Sequence, residues 1–357
     1  MNFLILSIVK AAVVAFVLLT ALAYLQWLER KVLAHIQLRV GPRRVGPHGL
    51  LQPLADVIKL ITKEDMMPSH VNKVFWFMAP FIAVLFALIP IAVIPFGTEL
   101  ALPAINLGPI HIPAITTAMQ LTDLNIGVLF ILGISGLGVY GVALAGWSSN
   151  NKYSLLGSLR SSAQLISYEL ALGLSLVGVV LRAGSLNLRV IVEQQATKGI
   201  ATWNLFGGLQ FIAFFIYLMA AYAETNRSPF DLPEAESELT GGYHTEYSSM
   251  KFAMFFMAEY ANMITVACVA TLLFFGGPSS PLGHLLPDNF GGTFLAAIFP
   301  ILWFVAKVLA FLLLYIWVRA TLPRFRYDQL MAFGWKFLLP VAILNIIVTS
   351  LVLALKG

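Results

Sequence analysis

A polar segment near the middle of the chain concentrates the residues best suited to acid–base chemistry. Residues 223–250 read AETNRSPFDLPEAESELTGGYHTEYSSM and lie between two long apolar runs. Six of the chain's 17 acidic residues fall within 23 positions of this segment: Glu224, Asp231, Glu234, Glu236, Glu238 and Glu246. Beside a low-dielectric region, a carboxylate is costly unless it is solvated, paired or protonated. The segment therefore predicts either proton handling or a docking face for a water-soluble partner.

Two further carboxylates, Glu169 and Glu259, lie inside apolar runs. Each is eight residues into its run, which places it about 12 Å deep at the usual helical rise. Burial and neighbouring like charges favour the neutral form of a carboxyl group, so these groups are suited to exchange protons near neutral pH. The alternative is that each is a satisfied structural group. Lys10 and Lys307 have a similar alternative, in which they reach the membrane surface or pair with a neighbouring subunit.

The composition identifies the environment in which these groups must act. The chain has 357 residues, of which 59% are hydrophobic and 11% charged, and its mean hydropathy is +0.85. This balance excludes a soluble globular protein and predicts an all-α polytopic membrane protein. Continuous apolar runs argue against a β-barrel. The glycine-rich stretch GISGLG at 133–138 has the wrong spacing for a dinucleotide site and predicts close helix packing instead.

Apolar runs of spanning length predict about eight transmembrane helices in a single integral membrane domain, residues 1–357. The runs cover residues 3–28, 74–96, 125–147, 161–181, 205–223, 251–276, 294–318 and 337–355. If the N-terminus is outside, sixteen Lys and Arg residues fall on the cytoplasmic side and four on the outer side. This excess satisfies the positive-inside tendency, so we expect an outside N-terminus and a cytoplasmic acidic loop at 224–250 between spans five and six.

A shorter segment, 49–63, has a different character. Its sequence GLLQPLADVIKLITK places polar residues on one helical face and apolar residues on the other. This pattern predicts an amphipathic helix at the membrane surface or against the bundle.

Cysteine and histidine positions argue against a redox centre in this chain. Cys268 is the single cysteine, so an iron–sulfur cluster held by cysteines of this chain is excluded. The six histidines fall in connections or at helix ends, whereas a haem held between helices needs histidines well inside apolar runs. We therefore expect no cofactor and no metal bound by this chain.

Five sequence blocks resemble one known family. GLLQPLADVIKL (49–60) and AETNRSPFDLPEAESELTGGYHTEY (223–247) are similar to the two signature regions of the H subunit of respiratory NADH–quinone oxidoreductase, complex I, a family that includes the mitochondrial NADH dehydrogenase subunit 1. ERKVLAHIQLRVGPRRVGP (29–47), MAEYANM (257–263) and LPRFRYDQLMAFGWK (322–336) add three more blocks. The resemblance covers nearly the whole chain and is weakest at about 182–204.

The resemblance implies a membrane subunit of a proton-pumping enzyme that forms most of the quinone chamber and carries no redox centre. The quinone is then a substrate, while FMN and iron–sulfur clusters belong to hydrophilic partner subunits. It implies chamber roles for Arg30, Arg39, Asp56, Lys59, Arg227, Phe230, Asp231 and Arg319. It implies an acidic path linking quinone reduction to proton translocation through Glu169, Glu224, Glu234, Glu236, Glu238, Glu246 and Glu259.

Three alternatives remain open at this point. The first is the homologous membrane anchor of an energy-converting membrane-bound hydrogenase, for which quinone need not be the substrate. The second is a self-sufficient secondary transporter, which the lack of a convincing internal repeat disfavours. The third is a purely structural anchor. The resemblance also implies other membrane subunits as partners and favours a bacterial inner membrane over a mitochondrial one.

Overall fold

The computed structural model describes residues 3–102, 105–107, 110–112, 115–196, 199–232, 240–281 and 292–356. Nearly all regular structure in these ranges is helical, because long apolar runs can satisfy their backbone groups in a membrane only as helices. The first six α-helices are α1 (Phe3–Ile36), α2 (Gln52–Thr62), α3 (Lys73–Leu88), α4 (Gly127–Leu137), α5 (Val139–Ser148) and α6 (Lys152–Ala183). The next six are α7 (Leu188–Gln195), α8 (Gln210–Glu224), α9 (Ser249–Phe274), α10 (Gly292–Thr321), α11 (Tyr327–Phe333) and α12 (Leu339–Lys356).

The described residues form seven helical stretches that are long and apolar enough to cross a membrane. They are Leu6–Ile36, Lys73–Val93, Gly127–Ser148, Lys152–Ala183, Ser249–Phe274, Ile298–Thr321 and Tyr327–Leu355. Helix α8 is a shorter apolar helix of 15 residues. Together these elements correspond to the eight predicted spans, so the all-α polytopic membrane fold is confirmed. The third span consists of α4 and α5, and the last joins α11 to α12 through a π-helical turn, Gly334–Leu338.

Two short antiparallel strand pairs, one nested inside the other, occupy the connection between α3 and α4. Strand β1 (Glu99–Leu102) pairs with β4 (Ile115–Ala118), and β2 (Ile105–Leu107) pairs with β3 (Ile110–Ile112). The helical spans predicted from the sequence did not include this small sheet structure. It stands away from the candidate site.

Helix α6 lies at the centre of the bundle and packs against α5, α8 and α12, while α9 packs against α3 and α10. Small residues bring these helices close together. A methyl group at Gly146 of α5 would overlap Ser158 Oγ of α6, and one at Gly141 would lie 2.8 Å from the Ala83 backbone nitrogen of α3. Both glycines lie beyond the stretch 133–138, for which close packing was predicted.

The connections fall into two groups, one at each end of the bundle. At the first end, Lys251 Nζ lies 2.5 Å from Asp65 Oδ2, and Arg324 Nη2 lies 3.0 Å from Asp231 Oδ2. At the second end, Lys10 Nζ donates to the Ala118 carbonyl at 3.1 Å. The connections that carry the predicted excess of Lys and Arg all lie at the first end. Which end faces the cytoplasm stays a prediction.

The C-terminal end of α9 is held by polar side chains at the second end. Gln195 donates to the Leu272 carbonyl and Asn204 to the Leu273 carbonyl, each at 2.9 Å. Beyond the helix, Lys307 Nζ donates to three carbonyl oxygens, those of Phe275, Gly277 and Ser279, at 2.7–2.8 Å. Helix ends expose such unpaired carbonyls, so these contacts satisfy groups that would otherwise be costly to bury.

Candidate functional site

A buried group of charged residues, which we call the ion cluster, joins the end of α1 to α9, α10 and the loop after α8. Arg227 Nε lies 2.5 Å from Glu259 Oε1, and Arg227 Nη1 lies 3.3 Å from Glu29 Oε1. Arg319 also donates to Glu29. Tyr260 donates its hydroxyl to Glu29 Oε2 at 2.8 Å, and its ring faces the Arg227 guanidinium at 4.3 Å. All of these side chains meet around Glu29.

The ion cluster is balanced in charge. Two guanidinium groups, of Arg227 and Arg319, oppose two carboxylates, of Glu29 and Glu259. Glu29 is only 4% exposed and Arg227 6%. Buried charges are tolerated when paired, and losing one partner leaves an uncompensated charge that is strongly destabilising. A change in charge at any one of these groups therefore affects the other three.

The turn that presents Arg227 is fixed by a buried amide, that of Gln164 on α6. Its Nε2 donates to the Ala223 carbonyl at 2.8 Å and to the Phe230 carbonyl at 3.0 Å. Asn226 has a left-handed backbone, with φ of 49°, and its Nδ2 donates to Ser161 Oγ at 3.0 Å. Asparagine tolerates this conformation better than most residues. These bonds hold the backbone on both sides of Arg227.

Next to the ion cluster, α4, α5, α6, α8 and α9 surround a cavity, which we call the acid cavity. Glu169, Glu224 and Glu259 all line it, together with Ser135 and Asn262. Its volume of about 60 Å³ is enough for several water molecules. Glu224 interacts electrostatically with Glu169 and with the Ser135 hydroxyl. Three carboxyl groups and room for water give the cavity the means to accept and pass on protons.

A glycine in the broken third span makes room for Glu169. A methyl group at Gly136 would overlap Glu169 Oε1, whereas one at Gly133 would meet nothing within 4 Å. The span is interrupted just beyond Gly136, where α4 ends and α5 begins. The glycine-rich stretch therefore shapes the wall of the acid cavity.

Glu259 belongs to both features. Its carboxylate contacts Arg227 of the ion cluster and also lines the acid cavity. The two features therefore share one carboxyl group.

The remaining predicted chamber residues lie at the first end. Arg30 Nη1 lies 2.7 Å from Asp56 Oδ2 of α2, and Gln52 donates to the same carboxylate at 2.9 Å. Phe230 is buried and stacks on Phe325 at 5.6 Å between ring centroids. Asp231 pairs with Arg324, as described above. The exposed apolar side chains of α2 are those of Leu54, Val57, Ile58 and Ile61.

Other predicted residues are not brought into either feature. Arg39 is exposed and bonds to Gln37, and Lys59 is exposed. Glu246 accepts a bond from Asn151 at 2.6 Å and does not line the acid cavity. Glu234, Glu236 and Glu238 lie outside the described residues. Of the seven predicted path glutamates, the acid cavity joins Glu169, Glu224 and Glu259.

The sequence profile of one family, described as NADH dehydrogenase, matches residues 9–350. This chain belongs to the NADH dehydrogenase family. Family members have similar sequences over nearly their entire length. The chain is 62% identical over 355 residues to H subunit 2 of the NADH-quinone oxidoreductase of Koribacter versatilis (strain Ellin345), covering 99% of this chain and 98% of the relative.

Two further relatives extend this similarity. H subunit 1 of the NADH-quinone oxidoreductase of Solibacter usitatus (strain Ellin6076) is 56% identical over 399 residues, covering 99% of this chain and 98% of the relative. The corresponding H subunit of Protochlamydia amoebophila (strain UWE25) is 51% identical over 331 residues, covering 93% and 92%. The predicted resemblance to complex I is confirmed, and with it the prediction that this multi-pass membrane chain is a subunit of an oxidoreductase complex.

Sequence reasoning about this NADH dehydrogenase family member missed Glu29, the residue on which the ion cluster converges. Its signal was present, because it is an acidic residue at the end of the first apolar run. The adjacent Arg30 and Lys31 made that position resemble a simple membrane boundary. Only the fold shows that Glu29 faces the bundle while Arg30 is half-exposed.

Two other expectations can be compared with the structure of this family member. The ammonium group of Lys307 is bonded within this chain, to the three carbonyls described above. Among the described residues, no group of three or more His, Cys, Asp or Glu side chains is arranged to hold a metal ion.

Proposed function

We propose that this chain forms the quinone access chamber of a proton-pumping NADH–quinone oxidoreductase and links quinone reduction to proton translocation through a chain of carboxylates. The observation that carries the proposal is the position of Glu259, which is shared by the ion cluster and the acid cavity. A charge change on one side of this residue is thereby felt on the other. Because the relatives are NADH-quinone oxidoreductase subunits, quinone is favoured as the substrate over the hydrogenase alternative.

The chamber is proposed to lie beside the ion cluster at the first end. Its polar groups come from Arg30, Arg39, Asp56, Lys59, Arg227, Asp231 and Arg319, and Phe230 adds an aromatic wall. The exposed apolar side chains of α2 suit contact with an isoprenoid tail. Reducing a quinone to a quinol takes two electrons and two protons. The electrons come from FMN and iron–sulfur clusters in the hydrophilic partner subunits, since this chain supplies none.

Coupling follows from competition for the arginines. Electrons that reach the quinone ahead of its protons leave negative charge on the headgroup, and this charge attracts Arg227 and Arg319 away from Glu29 and Glu259. A buried carboxylate that loses its counter-ion is costly unless it takes up a proton. Proton uptake at Glu259 then changes the charge facing Glu224 and Glu169 across the acid cavity. From these carboxyl groups the proton passes to the other membrane subunits of the complex.

Glu234, Glu236, Glu238 and Glu246, which belong to the loop 224–250, are proposed to extend this path. Helix α2, within the segment 49–63, is proposed to lie at the membrane surface. The proposed location is the bacterial inner membrane, with the N-terminus outside and the loop 224–250 in the cytoplasm.

The proposal is tested by Glu259→Gln and Glu169→Gln in the intact complex. We expect each variant to assemble and to lose most proton pumping per NADH oxidised, because glutamine keeps the shape but cannot carry a proton. Pumping is measured in proteoliposomes beside the NADH:quinone reductase rate. The matched control is Glu193→Gln, a 62% exposed member of a helical pair with Arg189 at the second end. Normal pumping by both test variants in fully assembled complex would refute the carboxylate link.

A further inference from the structure

Two tyrosines pack face to face between α8 and α10. The rings of Tyr222 and Tyr315 are stacked at 3.8 Å between centroids with an interplanar angle of 14°. Each residue is only 3% exposed. Neither hydroxyl has a hydrogen-bond partner among the described residues. The pair thus places two unsatisfied polar atoms inside the bundle.

Such an arrangement requires a physical explanation. Buried polar groups are nearly always hydrogen-bonded, and a buried hydroxyl without a partner is costly. If packing alone were needed, two phenylalanines would stack as well without that cost. Internal water commonly satisfies such groups when two to four polar atoms surround it.

A third unsatisfied polar atom is available in the same region. Glu224 Oε2 is buried and has no hydrogen-bond partner among the described residues. Tyr315 interacts electrostatically with Glu224, Tyr222 and Tyr217. The Tyr217 hydroxyl donates to the Val266 carbonyl at 2.7 Å, so its oxygen can still accept a bond. These groups together provide both donors and acceptors for water.

The geometry points to a buried water site between Tyr222, Tyr315 and Glu224, which adjoins the acid cavity at Glu224, a residue of the cavity lining. Tyr315 and Arg319 are four residues apart on α10 and therefore lie on the same helical face, one turn apart. Arg319 contacts Glu29. The water site thus gives Glu224 a second connection to the ion cluster, separate from the one through Glu259.

The role of this connection rests on the proposed function, while the existence of the water site does not. In that role the two hydroxyls and the bound water relay protons between Glu224 and the Arg319 side of the ion cluster. Each hydroxyl accepts one hydrogen bond and donates another, so no net charge forms on either ring. Glu224 is the proton donor or acceptor at one end of the relay and Glu29, which Arg319 contacts, at the other, because Arg319 itself stays protonated.

A high-resolution structure of the intact complex tests the site directly. We expect water density within about 3 Å of both hydroxyl oxygens, and its loss in the double variant Tyr222→Phe/Tyr315→Phe. Water in the acid cavity serves as the internal standard for the map. A dry tyrosine pair in a map that resolves the cavity waters overturns the proposal.

Proton pumping by the same double variant tests the relay. We expect an unchanged NADH:quinone reductase rate and a fall in protons pumped per NADH that is smaller than the fall in Glu259→Gln, because the connection through Glu259 remains. The matched control is Tyr140→Phe, which removes the hydroxyl of a tyrosine on α5 that is 61% exposed. Unchanged pumping together with resolved water overturns the relay. If Glu169→Gln and Glu259→Gln pump normally while the water is present, the proposed function fails and the water site stands.

Discussion

Arg227 lies within 2.5 Å of Glu259, although one residue is on the loop after α8 and the other is inside α9. This contact joins the loop after α8, at the first end, to helix α9, which lines the acid cavity. An arginine can be drawn towards a new negative charge, and it then leaves its carboxylate without a counter-ion. Glu29 is the other carboxylate that this arginine contacts.

Replacing Glu29 with Gln removes one of the two negative charges of the ion cluster. Arg227 keeps its contact with Glu259, whereas Arg319 loses its contact with Glu29, and an uncompensated buried charge costs about 3–5 kcal/mol. We expect a lower thermal midpoint of the purified complex and a lower NADH:quinone reductase rate. The double variant Glu29→Gln/Arg319→Gln restores the balance and should recover part of the stability. Equal stability of the wild type and the single variant contradicts the assigned role of Glu29.

Replacing Gly136 with Ala places a methyl group where the Glu169 carboxyl now lies. The side chain must rotate away, because the added methyl group would overlap its oxygen atoms. We expect a drop in protons pumped per NADH with little change in the reductase rate. The control is Gly133→Ala, in the same helix but with open space around the added methyl group. Both changes raise helix propensity by a similar amount, so only the displacement of Glu169 distinguishes them. Equal pumping by the two variants argues against the cavity as the path.

Replacing Gln164 with Leu leaves the carbonyls of Ala223 and Phe230 without their side-chain donor. Both carbonyls keep a backbone donor, Asn226 and Leu232 respectively, so each lost bond costs about 0.5–1.5 kcal/mol and the turn that presents Arg227 loosens. We expect a raised KM for quinone and a lowered reductase rate. Gln210→Leu is the matched control, because Gln210 is also buried but bonds to Thr349 away from the site. If the KM for quinone in Gln164→Leu is as close to normal as in this control, the turn has no role in quinone binding.

Replacing Asp56 with Asn breaks the pair with Arg30 near the surface. The two side chains are 24% and 44% exposed, and such pairs contribute at most about 1 kcal/mol to stability. We expect an almost unchanged thermal midpoint but a raised KM for quinone, with a smaller difference at high salt. Melting curves and quinone titrations at two ionic strengths measure this. A large loss of stability with a normal KM shows that the pair is structural.

The sequence predicted the spans well because a membrane-crossing helix depends on a local property, about 20 consecutive apolar residues. Helix α8 satisfies the pattern less fully, because it is shorter than the seven spanning stretches. Strands β1 to β4 depend on pairing between residues that are apart in sequence, and they lack a comparable local signal. Helix α7 lies in the stretch where the resemblance is weakest.

The candidate site was predictable only in part, for a geometric reason. The depth of Glu169 and Glu259 follows from counting residues along each helix. Whether they face one cavity depends on the rotation and packing of five elements, which no single segment determines. The importance of Glu29 and the stacking of Tyr222 on Tyr315 are non-local in the same sense. Long-range contacts of this kind become visible only when the helices are assembled.

The anchoring of α9 by Lys307, Gln195 and Asn204 has a mechanical consequence. Because its C-terminal end is bonded at the second end, we expect the helix to tilt about that end more easily than it shifts along its own axis. Glu259 lies 15 residues from Phe274, which is a lever arm of about 22 Å at the helical rise. A swing of roughly 3° would shift its carboxylate by about 1 Å, enough to take a contact of hydrogen-bond length out of range. The distance between Glu259 and the fixed end of the helix therefore determines how far the Glu259 carboxylate moves for a given tilt.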